Sequence, residues 1–179
     1  MTAEDAPFVS IEILSSFTSA ETEEHRRQEL LFGPAFAKIV ALMMHCASHM
    51  HLPLGDLPLL IVTPLLAGQV ALVQAMREDE SAPSPYGVAL WAKVSADVDR
   101  RLSEDKTGSL RLAPDEWQSG DILWIIDVFG YPQIVPPFLE EFVATHFPGQ
   151  HPKMRVIGKQ GVARVLFVGL DDIEMEPPS

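Results

Sequence analysis

The sequence contains little that could cross-link the chain or hold it in a membrane. Among its 179 residues Cys46 is the one cysteine, which excludes an internal disulfide and a cysteine-based zinc site. Prolines and a glycine interrupt the longest apolar region, residues 57–76, so no stretch approaches the roughly 20 unbroken apolar residues of a membrane span. The first residues are acidic and lack the basic-then-apolar order of a secretion signal. These features predict a cytoplasmic protein without a membrane span.

Basic residues are also scarce. The chain has 13 Lys and Arg against 25 Asp and Glu, a net charge of −12. A nucleic-acid binder needs a basic face to meet phosphates, so this balance argues against that class. Much of the acid lies near the two ends, as is typical of solvated tails. We therefore expect an acidic arm over residues 1–20, one domain over 21–170 and an acidic tail over 171–179.

Hydrophobic periodicity predicts an α+β fold. Apolar residues recur at helical spacing through residues 30–43, and Gly33-Pro34 predicts a break followed by a second helix over 35–48. Later segments predict a hairpin, a short helix, a central strand, an amphipathic helix and a second hairpin: residues 69–76 with 86–94, 95–102, 122–129, 135–147, and 154–157 with 163–168. This order indicates a single domain with a mostly antiparallel sheet flanked by helices.

An acid stands within the most apolar of these strands. Residues 117–130 read WQSGDILWIIDVFG, and Asp127 is the one charged residue of the strand that starts at Ile122. Burying a carboxylate costs free energy unless it is paired or hydrogen-bonded. Asp127 is therefore either a structural residue that caps the next turn or part of a cleft, and the strand alone is compatible with both.

Three histidines cluster at the end of the predicted helix. His45 and His49 are four residues apart and His51 follows, but the HExxH pattern is absent, and histidines at a helix C-terminus also suit the helix dipole. His49 can act as a general base oriented by a carboxylate such as Asp127. Cys46 can act as a nucleophile, although a lone cysteine inside a helix is more often a small core residue.

Residues 117–127 read WQSGDILWIID, with two Trp, a Ser-Gly-Asp turn and an Asp at fixed spacing. This is the most specific of several motifs that together resemble the RTX-toxin-activating lysine acyltransferases, the hemolysin-activating family, whose box reads W-x-S-G-D-x-x-W-x-x-D. Residues 48–53 match its helix-end histidine followed four residues later by proline, and residues 85–92 match its strand ending in Trp-Ala. The resemblance covers residues 35–168.

The resemblance implies a divergent GNAT-like N-acyltransferase fold that lacks the CoA loop. It implies transfer of a fatty acyl group from acyl carrier protein, with no bound cofactor, to the ε-amine of internal lysines of a protoxin. By position His49 and Asp127 are the catalytic residues. His49 either deprotonates the lysine or takes the acyl group first, and Asp127 positions or polarises the lysine.

The resemblance also implies substrate-binding residues. Trp91 ends the matched strand, and Ser119 and Gly120 form the turn of the box. A basic patch in the second hairpin is expected to meet the acidic carrier protein. The patch consists of Lys153, Arg155, Lys159 and Arg164. Apolar residues near the N-terminus, such as Phe8 and Ile11, could serve a homodimer contact or an acyl groove.

The chain departs from the family pattern in two respects. The family often has an Asn where Ile61 stands, and Thr63 or Gln69 could supply a polar group instead. Members are also commonly more basic than this chain. One alternative is therefore a non-catalytic module on the same fold that binds an acyl chain or acyl carrier protein. A metalloenzyme built on the histidine cluster is a more distant alternative.

Overall fold

A computed structural model describes residues 8–14, 23–76, 83–105, 111–157 and 163–170. These residues form a six-stranded sheet and four helices. The strands are β1 (Phe8–Leu14), β2 (Val70–Met76), β3 (Ser84–Val94), β4 (Ile122–Gly130), β5 (Lys153–Ile157) and β6 (Ala163–Phe167), and the helices are α1 (Glu23–Met43), α2 (Thr63–Ala67), α3 (Ala96–Glu104) and α4 (Val135–His146). The strands lie in chain order, and only β4 and β5 run parallel to each other. The predicted α+β fold with a mostly antiparallel sheet is confirmed.

The first helix differs from its prediction. Pro34 does not divide it, because α1 continues from Glu23 to Met43 with the proline inside. Ala35, Ile39 and other residues after the proline are buried against the sheet, and this packing outweighs one lost backbone hydrogen bond. The helix also ends earlier than residue 48. The amides of His45 and Cys46 reach back only three residues, to Leu42 and Met43, so the chain tightens into turns.

The N-terminal segment belongs to the sheet. All seven residues of β1 pair with β2, from Phe8 opposite Met76 to Leu14 opposite Val70. Ile11 is partly buried and packs against the core. The rest of the predicted arm, residues 1–7 and 15–20, and the predicted tail, residues 171–179, lie outside the described residues. No helix within the part of the chain that the structure describes is long and apolar enough to cross a bilayer.

Each face of the sheet carries its own hydrophobic core, because side chains alternate along the strands. Val88, Leu90 and Ala92 of β3 point toward α1, and we call this side the α1 face. Ala89 and Trp91 point the opposite way, toward Phe138, Leu139, Phe142 and Val143 of α4, and we call that side the α4 face. The sheet is thus the middle layer between helices.

A β-bulge in β4 changes this alternation at one point. Leu90 pairs with Asp127 and Trp91 with Ile125, so Ile126 has no opposite residue. Residues directly opposite each other share a face, which places Asp127 with Leu90 on the α1 face. Ile126 packs against the same core. Bulges commonly re-aim side chains in this way, and here the bulge turns Asp127 toward the segment that follows α1.

Strands β4 and β5 pair over a short distance only. Their register contains Trp124 opposite Lys153 and Ile125 opposite Met154. Asp99 of α3 holds this junction, since it accepts hydrogen bonds from Trp124 Nε1 at 2.8 Å and from Lys153 Nζ at 2.7 Å. Beyond the paired residues, both strands line a cavity.

Candidate active site

His49 and Asp127 are in direct contact. His49 Nε2 lies 2.8 Å from Asp127 Oδ2, and His49 Nδ1 lies 2.7 Å from the hydroxyl oxygen of Ser48. The imidazole also stacks on Phe129, with ring centroids 4.3 Å apart. The His49 side chain is 11% exposed and that of Asp127 is 39% exposed. The structure therefore places an oriented imidazole next to a carboxylate that solvent and substrate can reach.

Local structure explains why these two side chains meet. His49 lies in the turns after α1, where its amide donates to the Cys46 carbonyl and its own carbonyl accepts from the Leu52 amide. These turns fold the chain back over the α1 face of β4. The bulge at Ile126 turns Asp127 toward the same side. The contact thus spans 78 residues of sequence and depends on both irregular features.

The contacts define the tautomer of a neutral His49. An ionised carboxylate only accepts hydrogen bonds, so Nε2 must carry the proton that it donates to Asp127. Nδ1 then carries a lone pair, which accepts a hydrogen bond from the Ser48 hydroxyl. A carboxylate that fixes one ring nitrogen and leaves the other basic is the arrangement of a general base.

The pair lies in the wall of a cavity of about 410 Å³. Its polar lining comprises Ser48, His49, Arg111, Asp127 and Arg155. Its apolar lining comprises Leu52, Leu59, Leu60, Leu90, Leu112, Trp117, Ile126 and Ile157. Predominantly apolar walls with a few converging polar groups are typical of a small-molecule site.

The two arginines of the cavity differ in their surroundings. The Arg111 side chain is 53% exposed and donates to Asp56 at 2.7 Å. The Arg155 side chain is 3% exposed, and its Nη1 donates to the backbone carbonyl of Asp105 at 2.5 Å. Arg111 thus lies at the surface of the site and Arg155 lies inside the protein.

Three of the predicted substrate-binding residues lie outside this cavity. Trp91 is buried on the α4 face, where its ring packs on Phe142 at 5.2 Å. Ser119 Oγ accepts a hydrogen bond from the Ser95 amide and donates one to the Glu116 carbonyl, both at 2.9 Å. The turn of the box therefore connects β4 to the start of α3.

Gly120 has a packing reason to be glycine. A Cβ atom at this position would lie 2.5 Å from the Val94 carbonyl oxygen and 2.7 Å from Ser95 Cα. Its amide donates to the Lys93 carbonyl at 3.1 Å. The box thus holds the segment before β4 against the end of β3, and through Asp127 it also supplies the carboxylate of the site.

The structure separates the members of the predicted basic patch. Lys153 is paired with Asp99 and is 24% exposed, whereas Arg155 is buried and lines the cavity. Arg164 is exposed on β6. Lys159 lies outside the described residues. Lys153 and Arg155 therefore present little charge at the surface for a carrier protein to meet.

The positions considered for the missing Asn also lie elsewhere. Ile61 is buried in the core of the α1 face. Thr63 donates to the Pro58 carbonyl, and buried Gln69 donates to the Trp117 carbonyl at 2.9 Å. Neither polar side chain lines the cavity, so neither replaces the Asn there.

The histidine cluster and Cys46 offer weaker chemistry than the His49–Asp127 pair. Among the residues that the structure describes, no group of His, Cys, Asp and Glu could hold a metal ion. His45 and His51 are exposed. Burial, together with the negative charge of Asp127, raises the pKa of the Cys46 thiol above its ordinary value of 9.0. A neutral thiol is a poor nucleophile.

Sequence reasoning missed three residues of the site. Ser48 bonds to His49, and Trp117 and Arg111 line the cavity. Ser48 could have been predicted because it is adjacent to His49 in the sequence, and a neighbouring hydroxyl can hydrogen-bond to a candidate base. Trp117 begins the diagnostic box and could have been assigned with Asp127. Arg111 has no such signal, because it follows residues 106–110, which carry no motif.

An oriented base beside an apolar cavity is what a transferase that moves an apolar acyl group requires, and the comparisons identify the class as acyltransferase. The model of the RTX toxin acyltransferase family matches residues 29–167, which is most of the chain. The chain therefore belongs to the RTX toxin acyltransferase family. A comparison with curated proteins finds no match.

Proposed function

We propose that this protein moves a fatty acyl group from acyl carrier protein to the ε-amine of internal lysines in an RTX protoxin or a similar large secreted protein. The observation that carries the proposal is the hydrogen bond between His49 and Asp127 in the wall of an apolar cavity. Membership of the RTX toxin acyltransferase family supports the acyl-transfer class and the protoxin substrate. On this proposal the reaction takes place in the cytoplasm.

His49 acts as the general base. A lysine ε-amine has a reference pKa of about 10.4 and is no nucleophile until it loses a proton. Nδ1 of His49 takes that proton, because Nε2 is already committed to Asp127. Asp127 holds the ring in this tautomer and stabilises the imidazolium that forms. The exposed Ser48 hydroxyl marks the direction from which the amine approaches Nδ1.

The cavity receives the acyl donor. Its leucine and isoleucine side chains offer an apolar surface for the fatty chain, and burying that chain contributes about 0.8 kcal/mol per CH₂ group. The thioester then lies near His49 and Asp127, at the polar part of the lining. This arrangement needs no bound cofactor, since the activated acyl group arrives on the carrier protein.

The proposal is tested by incubating the protein with acyl carrier protein loaded with a fatty acyl group and with an RTX protoxin. Intact mass should show an acyl adduct on the protoxin, and peptide mapping should place it on lysine. The adduct should resist hydroxylamine, because an amide does so and a thioester or ester does not. Binding of the loaded carrier without any transfer would instead support a non-catalytic binding module.

The same assay separates two roles of His49. If His49 is a general base, rapid-quench samples should contain no acylated form of this protein. Accumulation of an acyl group on His49 before the protoxin is added would show that His49 takes the acyl group first.

A further inference from the structure

Among the described residues, two buried hydrogen-bond donors on residues that line the cavity have no partner. They are Nη2 of Arg155 and Nε1 of Trp117, and neither has a hydrogen-bond partner within the described part of the chain. The Arg155 side chain is 3% exposed, and Trp117 as a whole residue is also 3% exposed. A third buried atom without a partner among the described residues is Oε1 of Gln69. It is an acceptor, and Gln69 does not line the cavity.

These two atoms are informative because of their chemistry. An arginine guanidinium and a tryptophan indole donate hydrogen bonds and accept none. A buried donor without an acceptor costs roughly 1–3 kcal/mol, and more when it is charged. Nη1 of Arg155 donates to the Asp105 carbonyl and lies 3.6 Å from the Asp105 carboxylate, so the guanidinium is held in place while Nη2 has no partner among the described residues. A buried group of this kind calls for a partner outside the chain, such as a ligand or an ordered water.

An oxygen acceptor of small size would satisfy both donors. The cavity walls are mainly apolar, and Asp127 already supplies negative charge there, which disfavours a bulky anion such as a phosphate. Arg111, which is exposed, lies where a charged group could stay in contact with water. A carbonyl oxygen on a slender acyl chain can reach a buried guanidinium, whereas a hydrated phosphate would have to be stripped of water.

We propose that Arg155 and Trp117 bind the thioester carbonyl oxygen of the acyl donor, and that Arg155 stabilises the charge this oxygen gains during transfer. The proposal rests on the proposed function. The lysine nitrogen attacks the thioester carbon and forms a C–N bond, and the carbonyl electron pair moves onto the oxygen. The C–S bond then breaks as the carbonyl re-forms. The thiolate leaves on the carrier. His49 has released the first lysine proton to solvent; it now takes the second N–H proton from the attacking nitrogen and passes it to the thiolate. Donors aimed at a developing oxyanion are among the strongest catalytic contributions.

The experiment removes the acceptor from the ligand and the donor from the protein. The probes are S-dodecanoyl-pantetheine and S-dodecyl-pantetheine, which differ in that the second has a CH₂ group where the first has the carbonyl. Wild-type protein should bind the thioester about tenfold or more tighter than the thioether, as expected for a hydrogen bond to a charged donor.

Arg155→Met should abolish this preference while the affinity for the thioether stays near that of the wild type. Trp117→Phe keeps an aromatic ring but lacks the N–H group, and it should reduce the preference in part. Arg100→Met is the matched control, because Arg100 is an exposed residue of α3 paired with Asp97. It should retain the full preference.

Three outcomes would overturn the assignment. If wild type binds both probes equally, Arg155 does not hold the carbonyl oxygen, although the donor site of the proposed function survives. If Arg155→Met retains the preference, the oxygen binds elsewhere. If wild type binds neither probe, the donor site itself fails. Should Arg155→Met not fold, the wild-type comparison and Trp117→Phe still decide the question.

Discussion

The two faces of the sheet differ in what packs on them, although neighbouring residues of the same strands point to each face. On the α4 face, Trp91 packs with Phe142 and Phe147 at centroid distances of 5.2 and 5.9 Å, and Ile125 and Leu139 fill the space between with no exposure. On the α1 face, the same part of the sheet meets an imidazole, a carboxylate and a buried guanidinium around a cavity. Both faces have a buried core, but within the described residues the candidate site lies on the α1 face.

The difference arises from the elements that cover each face. A regular amphipathic helix, α4, presents a continuous apolar stripe to one side. The α1 face is covered beyond residue 43 by turns and by the short helical turns Leu54–Asp56 and Pro58–Val62. Such segments fill space less completely and expose backbone groups and polar side chains. A bulge in β4 then turns a carboxylate into the opening.

The largest effect is expected from removing the base on the α1 face. His49→Ala should lower the rate of acyl transfer about a thousandfold, the usual contribution of general-base catalysis. The melting temperature should change little, because the ring is at the edge of the core. Rates from acyl-carrier-protein assays and thermal melts check this. His51→Ala, an exposed histidine two residues away, is the control and should transfer normally.

A change on the α4 face should give the reverse result. Phe142 is fully buried and packs on Trp91, Phe138 and Phe147. Phe142→Ala should lower the free energy of unfolding by about 3–5 kcal/mol through lost burial and a cavity. Denaturant unfolding measures this. Glu140→Ala, at an exposed position of the same helix, should leave the midpoint almost unchanged, and an equal loss there would mean that α4 is not the covering element.

The junction between β4 and β5 connects the two faces. Asp99→Ala leaves Trp124 Nε1 and Lys153 Nζ without their acceptor and should cost about 2 kcal/mol of unfolding free energy. We also expect weaker binding of the acyl donor, because the cavity begins where this pairing ends. Asp97→Ala on the same helix, whose side chain is 85% exposed, is the control. Full stability of Asp99→Ala would show that the junction is held by packing alone.

The smallest effect concerns Cys46, which lies on the α1 face but outside the chemistry. Burial and the Asp127 charge raise the pKa of its thiol, so the native protein keeps this proton to higher pH than the unfolded chain does. Unfolding is therefore favoured progressively as pH rises above about 9. Wild type should lose stability in that range relative to Cys46→Ala, and both should transfer at similar rates. Rapid alkylation of native Cys46 at pH 7 would contradict the raised pKa.

Much of the regular structure could be predicted from sequence. The two hairpins, the capped helix α3 and the central strand follow from alternation, turn residues and the Ser95 cap. The failure was at Gly33-Pro34, where a local helix breaker was outweighed by burial of Ile39 and its neighbours. Local signals do not contain that packing energy.

The site could be predicted only in part. His49 and Asp127 are exceptional in their local context, one as a histidine after a helix and one as an acid in an apolar strand. The contact between His49 and Asp127 could not be predicted from the sequence, because it depends on a bulge at Ile126 and on turns after Met43. Arg155 was predicted to belong to a surface patch, because charged residues are usually exposed. Its side chain is buried instead, where it donates to the carbonyl of Asp105, fifty residues earlier. Pairings this distant leave no periodic signal.

The most direct test of the division between the two faces is Asp127→Asn measured beside Phe142→Leu. For each variant, acyl transfer to protoxin and the melting temperature are determined on the same preparation. We predict that Asp127→Asn loses about three orders of magnitude in rate at an unchanged melting temperature. The amide has no charge to stabilise the imidazolium, and its NH₂ group can donate to Nε2, which favours the other tautomer. Phe142→Leu should melt earlier and transfer normally while folded. If Asp127→Asn transfers at the wild-type rate, His49 and Asp127 are not the centre of the reaction.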